Sequence, residues 1–183
     1  MSIDAYLRYF PGGLSDDLCG RLIEKFESAS GKKKIENTGH GLKFDQLNIS
    51  THVDFQEEVQ QIQNVLLKAY EIYKSQVPHT EYLPTPLAIE QFRMKKYNVG
   101  EDESFPMHVD VSTPESAPRY LGALFYLNTV EEGGETHYPD FDLTIPATSG
   151  SILLFPPMWM YPHEGRMPIS ESKYIISTYF VYK

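Results

Sequence analysis

The spacing of apolar residues changes once along this chain, and that change limits the folds open to it. Up to Tyr73 the apolar side chains recur at helical spacing, whereas beyond Pro78 they alternate along short segments bounded by turn residues. Spacing near 3.6 residues is typical of an amphipathic helix, and strict alternation is typical of a strand. Helices followed by many short strands predict an α+β domain.

Two helices are predicted in the N-terminal half. Ser15 is a suitable N-cap for the first, and Gly31 ends its apolar pattern. The second is predicted from about Asp54 to Tyr73, with apolar residues on one side and glutamine and glutamate on the other. Between them, the polar and glycine-bearing segment 31–50 is predicted as a long loop or an irregular hairpin.

Eight strands are predicted in the C-terminal half. Their pattern predicts a two-sheet sandwich or jelly roll in which the helices brace one sheet. A chain of 183 residues is too short for two ordinary domains, so we expect one domain over residues 1–183, with a helical support region at 1–85 and a strand-rich core at 86–183. The predicted strands are Leu87–Tyr97, Phe105–Val109, Arg119–Asn128, Glu135–Tyr138, Asp142–Ile145, Ser151–Phe155, His163–Arg166 and Lys173–Tyr182.

Charge and cysteine content exclude several classes of protein. A formal net charge of -9 argues against a nucleic-acid partner, which would require clustered lysine and arginine. The short basic runs 32–34 and 93–96 are interpreted as solvated faces or interrupted strands. The single cysteine rules out an internal disulfide and a cysteine-based zinc site. With no apolar stretch long enough for a bilayer and no signal-peptide pattern in residues 1–10, we expect a cytoplasmic protein without a membrane partner.

The short sequence His108-Val109-Asp110 is the most informative for chemistry. Residues two apart on a strand point to the same face, so His108 and Asp110 can reach one ion together. Such a pair alone is more often an ordinary polar strand pair, but His163 opens a later predicted strand and can supply a third ligand. Two histidines and one carboxylate leave three positions of an octahedral ion open, as in non-haem iron(II) oxygenases. These three residues are the candidate metal ligands and catalytic centre.

Lys173 is the second informative residue, because it opens a final strand that carries no other charge. A buried ammonium is costly to desolvate, so it should have a partner. The distal carboxylate of a dicarboxylic co-substrate would provide one. The alternative is an ordinary ion pair with Glu164 or Glu171. Spacing of two residues places Ser177 and Tyr179 on the same strand face as Lys173.

A series of short motifs follows in order between about Glu90 and Tyr182. They are Tyr97-Asn98-Val99-Gly100, His108-Val109-Asp110, Leu124-Phe125-Tyr126-Leu127-Asn128, Glu131-Glu132-Gly133-Gly134-Glu135-Thr136, Gly150-Ser151-Ile152-Leu153-Leu154-Phe155, Pro162-His163-Glu164-Gly165 and the strand from Lys173. In order and spacing this region resembles the iron(II)- and 2-oxoglutarate-dependent oxygenases of prolyl 4-hydroxylase type. The helical half resembles that family only in the type and position of its elements.

The resemblance implies a fold, a metal and a reaction. The fold would be a double-stranded β-helix, a form of jelly roll, braced by the N-terminal helices. Iron(II) would be held by His108, Asp110 and His163. The implied reaction uses O2 to convert 2-oxoglutarate to succinate and CO2 and hydroxylates an unactivated C–H bond, with ascorbate as a candidate reductant.

The resemblance also assigns the residues that would bind the co-substrate. Lys173 would pair with the distal carboxylate of 2-oxoglutarate. Ser177 would donate a hydrogen bond to the co-substrate from its hydroxyl, and either Tyr97 or Tyr126 would donate one from its phenol. Thr136 is open between lining the pocket and satisfying its own turn.

The substrate is left open between two kinds of molecule. The implied substrate is a prolyl or similar side chain in a peptide or small protein, and a small molecule is the alternative. The loops at the rim of the site would decide between these substrates, because they would form either a groove for a peptide or a closed lid over a small molecule. These loops are 31–50, 97–107 and 164–172. A third hypothesis is that the protein is not an enzyme but a jelly-roll binding module that holds a metal ion for structure. We interpret His137 as structural, and His40, His52 and His79 as solvent-facing or locally hydrogen-bonded.

Overall fold

A computed structural model describes residues 3–37, 42–85 and 88–183 of the chain. Within these ranges the α-helices are α1 (Asp16–Ser28) and α2 (Gln56–Gln76). The strands are β1 (Arg8–Phe10), β2 (Lys33–Asn37), β3 (Leu42–Asn48), β4 (Ala88–Ile89), β5 (Arg93–Tyr97), β6 (Phe105–His108), β7 (Arg119–Tyr126), β8 (Thr136–Tyr138), β9 (Leu143–Ile145), β10 (Ile152–Phe155), β11 (His163–Gly165) and β12 (Lys173–Val181). Short 3-10 helices lie at Ile3–Tyr6, Ile49–Thr51, Val53–Phe55, Thr80–Tyr82 and Pro139–Phe141.

Both predicted helices form, which confirms the α part of the predicted α+β class. The Ser15 hydroxyl caps α1 by accepting a hydrogen bond from the backbone N–H of Leu18 at 3.2 Å. The second helix starts at Gln56, after a 3-10 turn, and continues to Gln76, slightly beyond the predicted end. Neither α1 nor α2 combines the length and apolar character that a bilayer-crossing helix needs.

The strands form two antiparallel sheets. The larger sheet has the order β1-β10-β7-β12-β5-β3-β2, with β4 paired to the end of β12. The smaller sheet has the order β6-β11-β8-β9. At the centre of the larger sheet, neighbouring strands are distant in sequence, since β12 lies between β7 and β5. This arrangement is the one by which a jelly roll brings early and late strands together.

The larger sheet is buried on both faces, and alternate residues of one strand therefore enter different cores. Ile176 of β12 belongs to the core beneath the two helices, with Leu22 of α1 and Leu66 of α2. Its neighbour Ile175 faces the opposite way and packs in the core between the two sheets, with Tyr138 of β8. The second of these cores surrounds the candidate site.

All eight predicted strands occur, with ends that differ by a few residues, and the strand predicted at Leu87–Tyr97 is divided into β4 and β5. Leu87 itself lies outside the described residues, as do Gly39, His40 and Gly41. Segment 31–50 contains the antiparallel strands β2 and β3, and β3 continues the larger sheet by pairing with β5. The region 1–85 is therefore not purely helical, because it contributes β1, β2 and β3 to the sheet.

Candidate metal centre

His108, Asp110 and His163 meet at one point on the smaller sheet. His108 ends β6 and His163 begins β11, and the two residues are direct cross-strand partners. Asp110 follows two residues after His108, and its carboxylate oxygens lie 3.5 Å from His108 Nε2 and 3.7 Å from His163 Nε2. One potential ligand atom from each residue lies within 4.8 Å of the others. The three candidate ligands are thus brought together.

Hydrogen bonds to backbone carbonyls fix the orientation of both imidazoles. His108 Nδ1 lies 2.8 Å from the carbonyl oxygen of Pro106, and His163 Nδ1 lies 3.0 Å from that of Tyr161. Because a carbonyl only accepts, each Nδ1 carries the hydrogen and donates it. Each Nε2 therefore presents a lone pair toward Asp110, which is the tautomer that a metal-binding histidine uses.

The Asp110 carboxylate is buried and only partly satisfied. Its Oδ1 accepts a hydrogen bond from the Tyr179 hydroxyl at 2.7 Å, whereas Oδ2 is buried without a hydrogen-bond partner among the described residues. Burial tends to raise the pKa of Asp110, but the adjacent imidazoles of His108 and His163 and the hydrogen bond from Tyr179 outweigh burial and lower the pKa to about 2. An ionised, unsatisfied oxygen beside two imidazole lone pairs fits a divalent cation.

His163 is also suited to binding a divalent cation. Its side chain is buried against the rings of Tyr138 and Phe155, each with a centroid 5.1 Å away. Burial lowers the pKa of His163 to about 4, although Asp110 acts in the opposite direction. The imidazole is therefore neutral near pH 7, as a metal ligand must be.

Lys173 lies at the start of β12, on the strand face of Ile175, Ser177 and Tyr179, which line a cavity between the two sheets. Its side chain is buried, and its ammonium lies 5.5 Å from the ring centroid of Tyr97 and 5.8 Å from that of Tyr126. Within the described ranges, no carboxylate forms an ion pair with it. Glu164 instead pairs with Arg166, and Glu171 accepts hydrogen bonds from Ser170 and from the backbone of Glu131.

The ordinary ion pair considered for Lys173 is therefore wrong. Burial lowers the pKa of Lys173 to about 7; Glu135 opposes this change, and the positive charge of Lys95 adds to it. A cation that is both buried and unpaired is unfavourable in the protein by itself. Its position is easier to explain if a ligand brings the counter-charge.

A sequence model of the 2OG-Fe(II) oxygenase superfamily matches residues 92–181, which include the three candidate ligands and Lys173. The chain belongs to this superfamily. Iron(II), 2-oxoglutarate and O2 are the metal and co-substrates of the family. No curated protein sequence matches the chain.

Solved structures similar to this oxygenase include prolyl hydroxylases from three sources. The viral collagen prolyl hydroxylase of Paramecium Bursaria Chlorella virus-1, in complex with 2-oxoglutarate, has 21% identity and a TM-score of 0.68 over 97% of this chain and 96% of that chain. The prolyl hydroxylase of Trichoplax adhaerens, in complex with a hypoxia inducible factor peptide fragment, has 14% identity and a TM-score of 0.77 over 97% and 84%. A Pseudomonas putida prolyl-4-hydroxylase has 14% identity and a TM-score of 0.67 over 96% and 92%. At these identities the likeness shows the fold, and the predicted double-stranded β-helix is confirmed.

The other residues predicted to bind the co-substrate lie near Lys173, but they differ in availability. Tyr97 is the cross-strand partner of Lys173 and lines the cavity of the oxygenase, as does Ser177. The Tyr126 hydroxyl donates to Thr136 Oγ1 at 2.7 Å, so that donor is already engaged. Thr136 itself lines the cavity. Of the two phenols considered, Tyr97 is thus the freer to meet a ligand.

Behind the metal centre, this oxygenase has a group of residues that the sequence did not reveal. The guanidinium of Arg119 lies 4.0 Å from the ring centroid of Tyr179 and donates to the backbone oxygen of Asp110 at 3.1 Å. Glu90 accepts from Arg119 through both of its oxygens, at 2.8 and 3.0 Å. These contacts hold the Asp110 segment and Tyr179 in place. Their only sequence signal was a single arginine at the start of an otherwise apolar strand.

Lys95 is the most unexpected residue in the cavity. The basic run 93–96 was interpreted as a solvated face or an interrupted strand, yet it forms β5, whose residues alternate between the two faces of the sheet. Lys96 lies on the outer face and pairs with Glu27 at 2.9 Å, whereas Lys95 is buried and lines the cavity. The interpretation of a solvated face was wrong for Lys95.

His137, the histidine interpreted as structural, is separate from the metal centre, and its Nδ1 lies 3.0 Å from Thr144 Oγ1 on the adjacent strand β9.

The cavity lies between the two sheets. It is lined by Lys95, Tyr97, Phe105, His108, Asp110, Leu124, Thr136, Phe155, His163, Gly165, Ile175, Ser177 and Tyr179.

Proposed function

We propose that this oxygenase hydroxylates a prolyl residue in a peptide or protein, with iron(II) held by His108, Asp110 and His163. The observation that carries the proposal is the convergence of two Nε2 lone pairs and one carboxylate oxygen, beside a buried lysine. Within residues 3–37, 42–85 and 88–183, that oxygen has no hydrogen-bond partner and that lysine has no counter-ion. When bound, iron(II) and 2-oxoglutarate supply the oxidising chemistry, in which O2 provides one oxygen atom to the substrate and one to succinate as CO2 is released.

The residues of the chain would bind, orient and exclude water. Lys173 would pair with the distal carboxylate of 2-oxoglutarate, and Ser177 and Tyr97 would contribute hydroxyl donors beside it. The rings of Tyr138 and Phe155 close the cavity behind His163. A dry, pre-oriented site of this kind favours reaction at a C–H bond over side reactions with solvent.

Support for a prolyl substrate comes from the fold. Three of the similar structures are described as prolyl hydroxylases, and one of these is a complex with a peptide fragment. A small-molecule substrate of the same site is the alternative. Proline-containing peptides should gain one oxygen atom on proline, as measured by fragmentation mass spectrometry, and the same peptides with alanine in place of proline should remain unmodified. Hydroxylation of both sets alike would contradict prolyl specificity.

The metal and co-substrate are tested together by anaerobic addition of iron(II) and 2-oxoglutarate. We expect the weak visible charge-transfer band of the chelate, followed by succinate formation when air is admitted. Asp110→Ala should abolish the band, whereas the exposed control Asp140→Ala should retain it. Lys173→Ala should chiefly raise the 2-oxoglutarate concentration required. No band in the unchanged protein would contradict the proposal, and equal, total loss in both Asp110→Ala and Lys173→Ala would contradict the division of roles.

A further inference from the structure

Lys95 is a second buried lysine and, unlike Lys173, it lines the cavity itself, where the described part of the chain supplies no counter-ion. Its side chain is 9% exposed, and among the described residues it has neither an ion pair nor a hydrogen bond to its ammonium. The ammonium lies 5.1 Å from the ring centroids of both Phe44 and Phe105. Cation–π contacts offset only part of the cost of burying an ammonium. The aromatic contacts therefore leave Lys95 incompletely satisfied.

The position of Lys95 separates it from the proposed co-substrate anchor. Lys173 is opposite Tyr97 in the register of β12 and β5, and Lys95 is opposite Ile175, two residues further along β12. This step corresponds to about 7 Å along the strand toward Tyr179, the hydrogen-bond partner of Asp110. Lys95 therefore lies on the metal side of Lys173.

The wall beside Lys95 is the one that holds His108. The ring of Phe105, over which the ammonium lies, stacks on the imidazole of His108 with centroids 3.9 Å apart. Phe105 is only partly buried, whereas the surroundings of Lys173 are closed by the buried rings of Tyr97 and Tyr126. Lys95 is thus next to the reacting centre, on the less enclosed side of the cavity.

Charge balance in the loaded site also singles out Lys95. Iron(II) and Asp110 together leave one positive charge, and Lys173 brings a second. These two charges balance the two carboxylates of 2-oxoglutarate. Lys95 remains without a counter-charge, and burial of an uncompensated cation is strongly unfavourable. Burial lowers the pKa of Lys95 to about 8, in spite of the opposing effect of Asp110, so the ammonium is still largely protonated at pH 7.

We infer that Lys95 forms an anion subsite that pairs with a carboxylate of the substrate close to the carbon that reacts. This inference rests on the proposed function and narrows it to substrates with an anionic group near the hydroxylated proline. The carboxylate has two sources with the same chemistry. It belongs either to the proline itself, as a free acid or chain terminus, or to an acidic side chain adjacent to proline.

Matched pairs of probes distinguish these sources. N-acetyl-proline is compared with N-acetyl-prolinamide, and N-acetyl-Pro-Asp-amide is compared with N-acetyl-Pro-Asn-amide. Each is added anaerobically to the protein loaded with iron(II) and 2-oxoglutarate, and binding is followed through the perturbation of the charge-transfer band. We expect the carboxylate member of at least one pair to bind at least about tenfold more tightly than its amide. The pair that shows the preference identifies the source.

Three variants test whether Lys95 causes the preference. Lys95→Met should bind acid and amide equally, whereas Lys95→Arg should retain much of the preference because it keeps the charge. Lys96→Met is the matched control, since Lys96 is the adjacent lysine on the outer face of the same strand. It should retain the full preference. A preference that persists in Lys95→Met, or no carboxylate preference in the unchanged protein, including no binding of any probe, would overturn the inference.

The test also separates failure of this inference from failure of the proposed function. If the unchanged protein gives no charge-transfer band, the proposed metal and co-substrate site fails. If the band forms and the carboxylate preference is absent, only the anion subsite fails. If Lys95→Met raises the 2-oxoglutarate requirement and Lys173→Met does not, Lys95 is the co-substrate anchor and the inference is overturned in favour of exchanged roles.

Discussion

Two regions of this molecule bury charged side chains, and they treat them in opposite ways. In the rim cluster, formed by Glu103, Lys34, Lys43 and Asn98, the buried carboxylate of Glu103 is surrounded by donors. It pairs with Lys34, lies 3.8 Å from Lys43 Nζ and accepts from the backbone and side-chain nitrogens of Asn98 at 2.6 and 3.1 Å. At the cavity, the ammonium of Lys95, which lines it, and that of Lys173, which lies beside the lining residue Gly165, have no such partners among the described residues.

The contrast distinguishes a charge that serves the fold from a charge that serves a ligand. Hydrogen bonds and cations around Glu103 compensate its desolvation, so the rim cluster can join the loop after β5 to the strands β2 and β3. Lys95 and Lys173 lower the stability of the ligand-free protein instead. Residues of this kind are retained where a bound group restores the balance.

Removal of the rim carboxylate should have the largest effect on stability. Glu103→Ala leaves Lys34 and the Asn98 backbone N–H without their acceptor, and should lower the free energy of unfolding by about 3 kcal/mol. Urea denaturation measures the change. Glu101→Ala is the control, because this more exposed carboxylate also pairs with Lys43 and its loss should cost much less. Equal losses in the two variants would show that burial does not distinguish the rim cluster.

Lys173→Met should have the opposite effect on stability and a large effect on binding. Without ligand, the variant should be more stable than the unchanged protein by about 1–3 kcal/mol at pH 7, because a buried unpaired cation is removed. Its requirement for 2-oxoglutarate should rise by about a hundredfold, since the pairing of a charged lysine with a carboxylate is lost. Titration of the charge-transfer band measures the second effect. A loss of stability without ligand would contradict the comparison.

The free energy difference between Lys173→Met and the unchanged protein should depend on pH. The folded-state pKa of Lys173 is lowered to about 7 from an ordinary value of 10.5. The cost of burying the lysine is therefore complete at and below about pH 7, decreases as the pH rises, and disappears near pH 10.5.

The residues that the sequence predicted well are those whose signal is local. His108 and Asp110 reach the same point because they are only two residues apart, although β6 ends at His108 and Asp110 lies just beyond it. The alternation of apolar residues located all eight C-terminal strands. The order of motifs then placed His163 and Lys173. Such features are decided by neighbouring residues or by the fixed order of strands in one type of fold.

The residues that the sequence did not predict depend on long-range pairing. Strands β2 and β3 carry a mixed polar pattern, and their place in the sheet is decided by the pairing of β3 with β5, about 50 residues away. Lys95 is adjacent to Lys96 in a basic run, and only the sheet register shows which of the two enters the cavity. Arg119 and Glu90 meet across 29 residues. The predicted cytoplasmic location and the use of ascorbate stay predictions.

The binding of 2-oxoglutarate should weaken as the pH rises above 7. Lys173 must be protonated to pair with a carboxylate, and above its pKa of about 7 the free protein must take up a proton on binding. The apparent dissociation constant should therefore rise by up to about tenfold per pH unit, until the pKa of the bound state is reached. Asp110 and His163, with pKa values of about 2 and 4, do not titrate in this range.

Lys173→Arg isolates the contribution of this lysine, because a guanidinium remains charged over the whole range. In this variant the apparent dissociation constant for 2-oxoglutarate should rise much less steeply with pH. Any remaining pH dependence would belong to Lys95, whose pKa is lowered to about 8. A slope of equal size in Lys173→Arg and the unchanged protein would exclude Lys173 as its source.

The smallest predicted effect concerns the hydrogen bond that Asp110 Oδ1 accepts from the Tyr179 hydroxyl on β12. Tyr179→Phe removes the donor to Oδ1 and leaves the ring over which Arg119 lies, so the cavity should keep its shape. Loss of an outer hydrogen bond to a metal ligand lowers metal affinity by about tenfold or more. The dissociation constant for iron(II), measured anaerobically by competition with a chelator, should rise accordingly. Tyr174→Phe is the control, because it removes a hydroxyl that donates to Glu27 on the outer face. This variant should leave the dissociation constant for iron(II) unchanged.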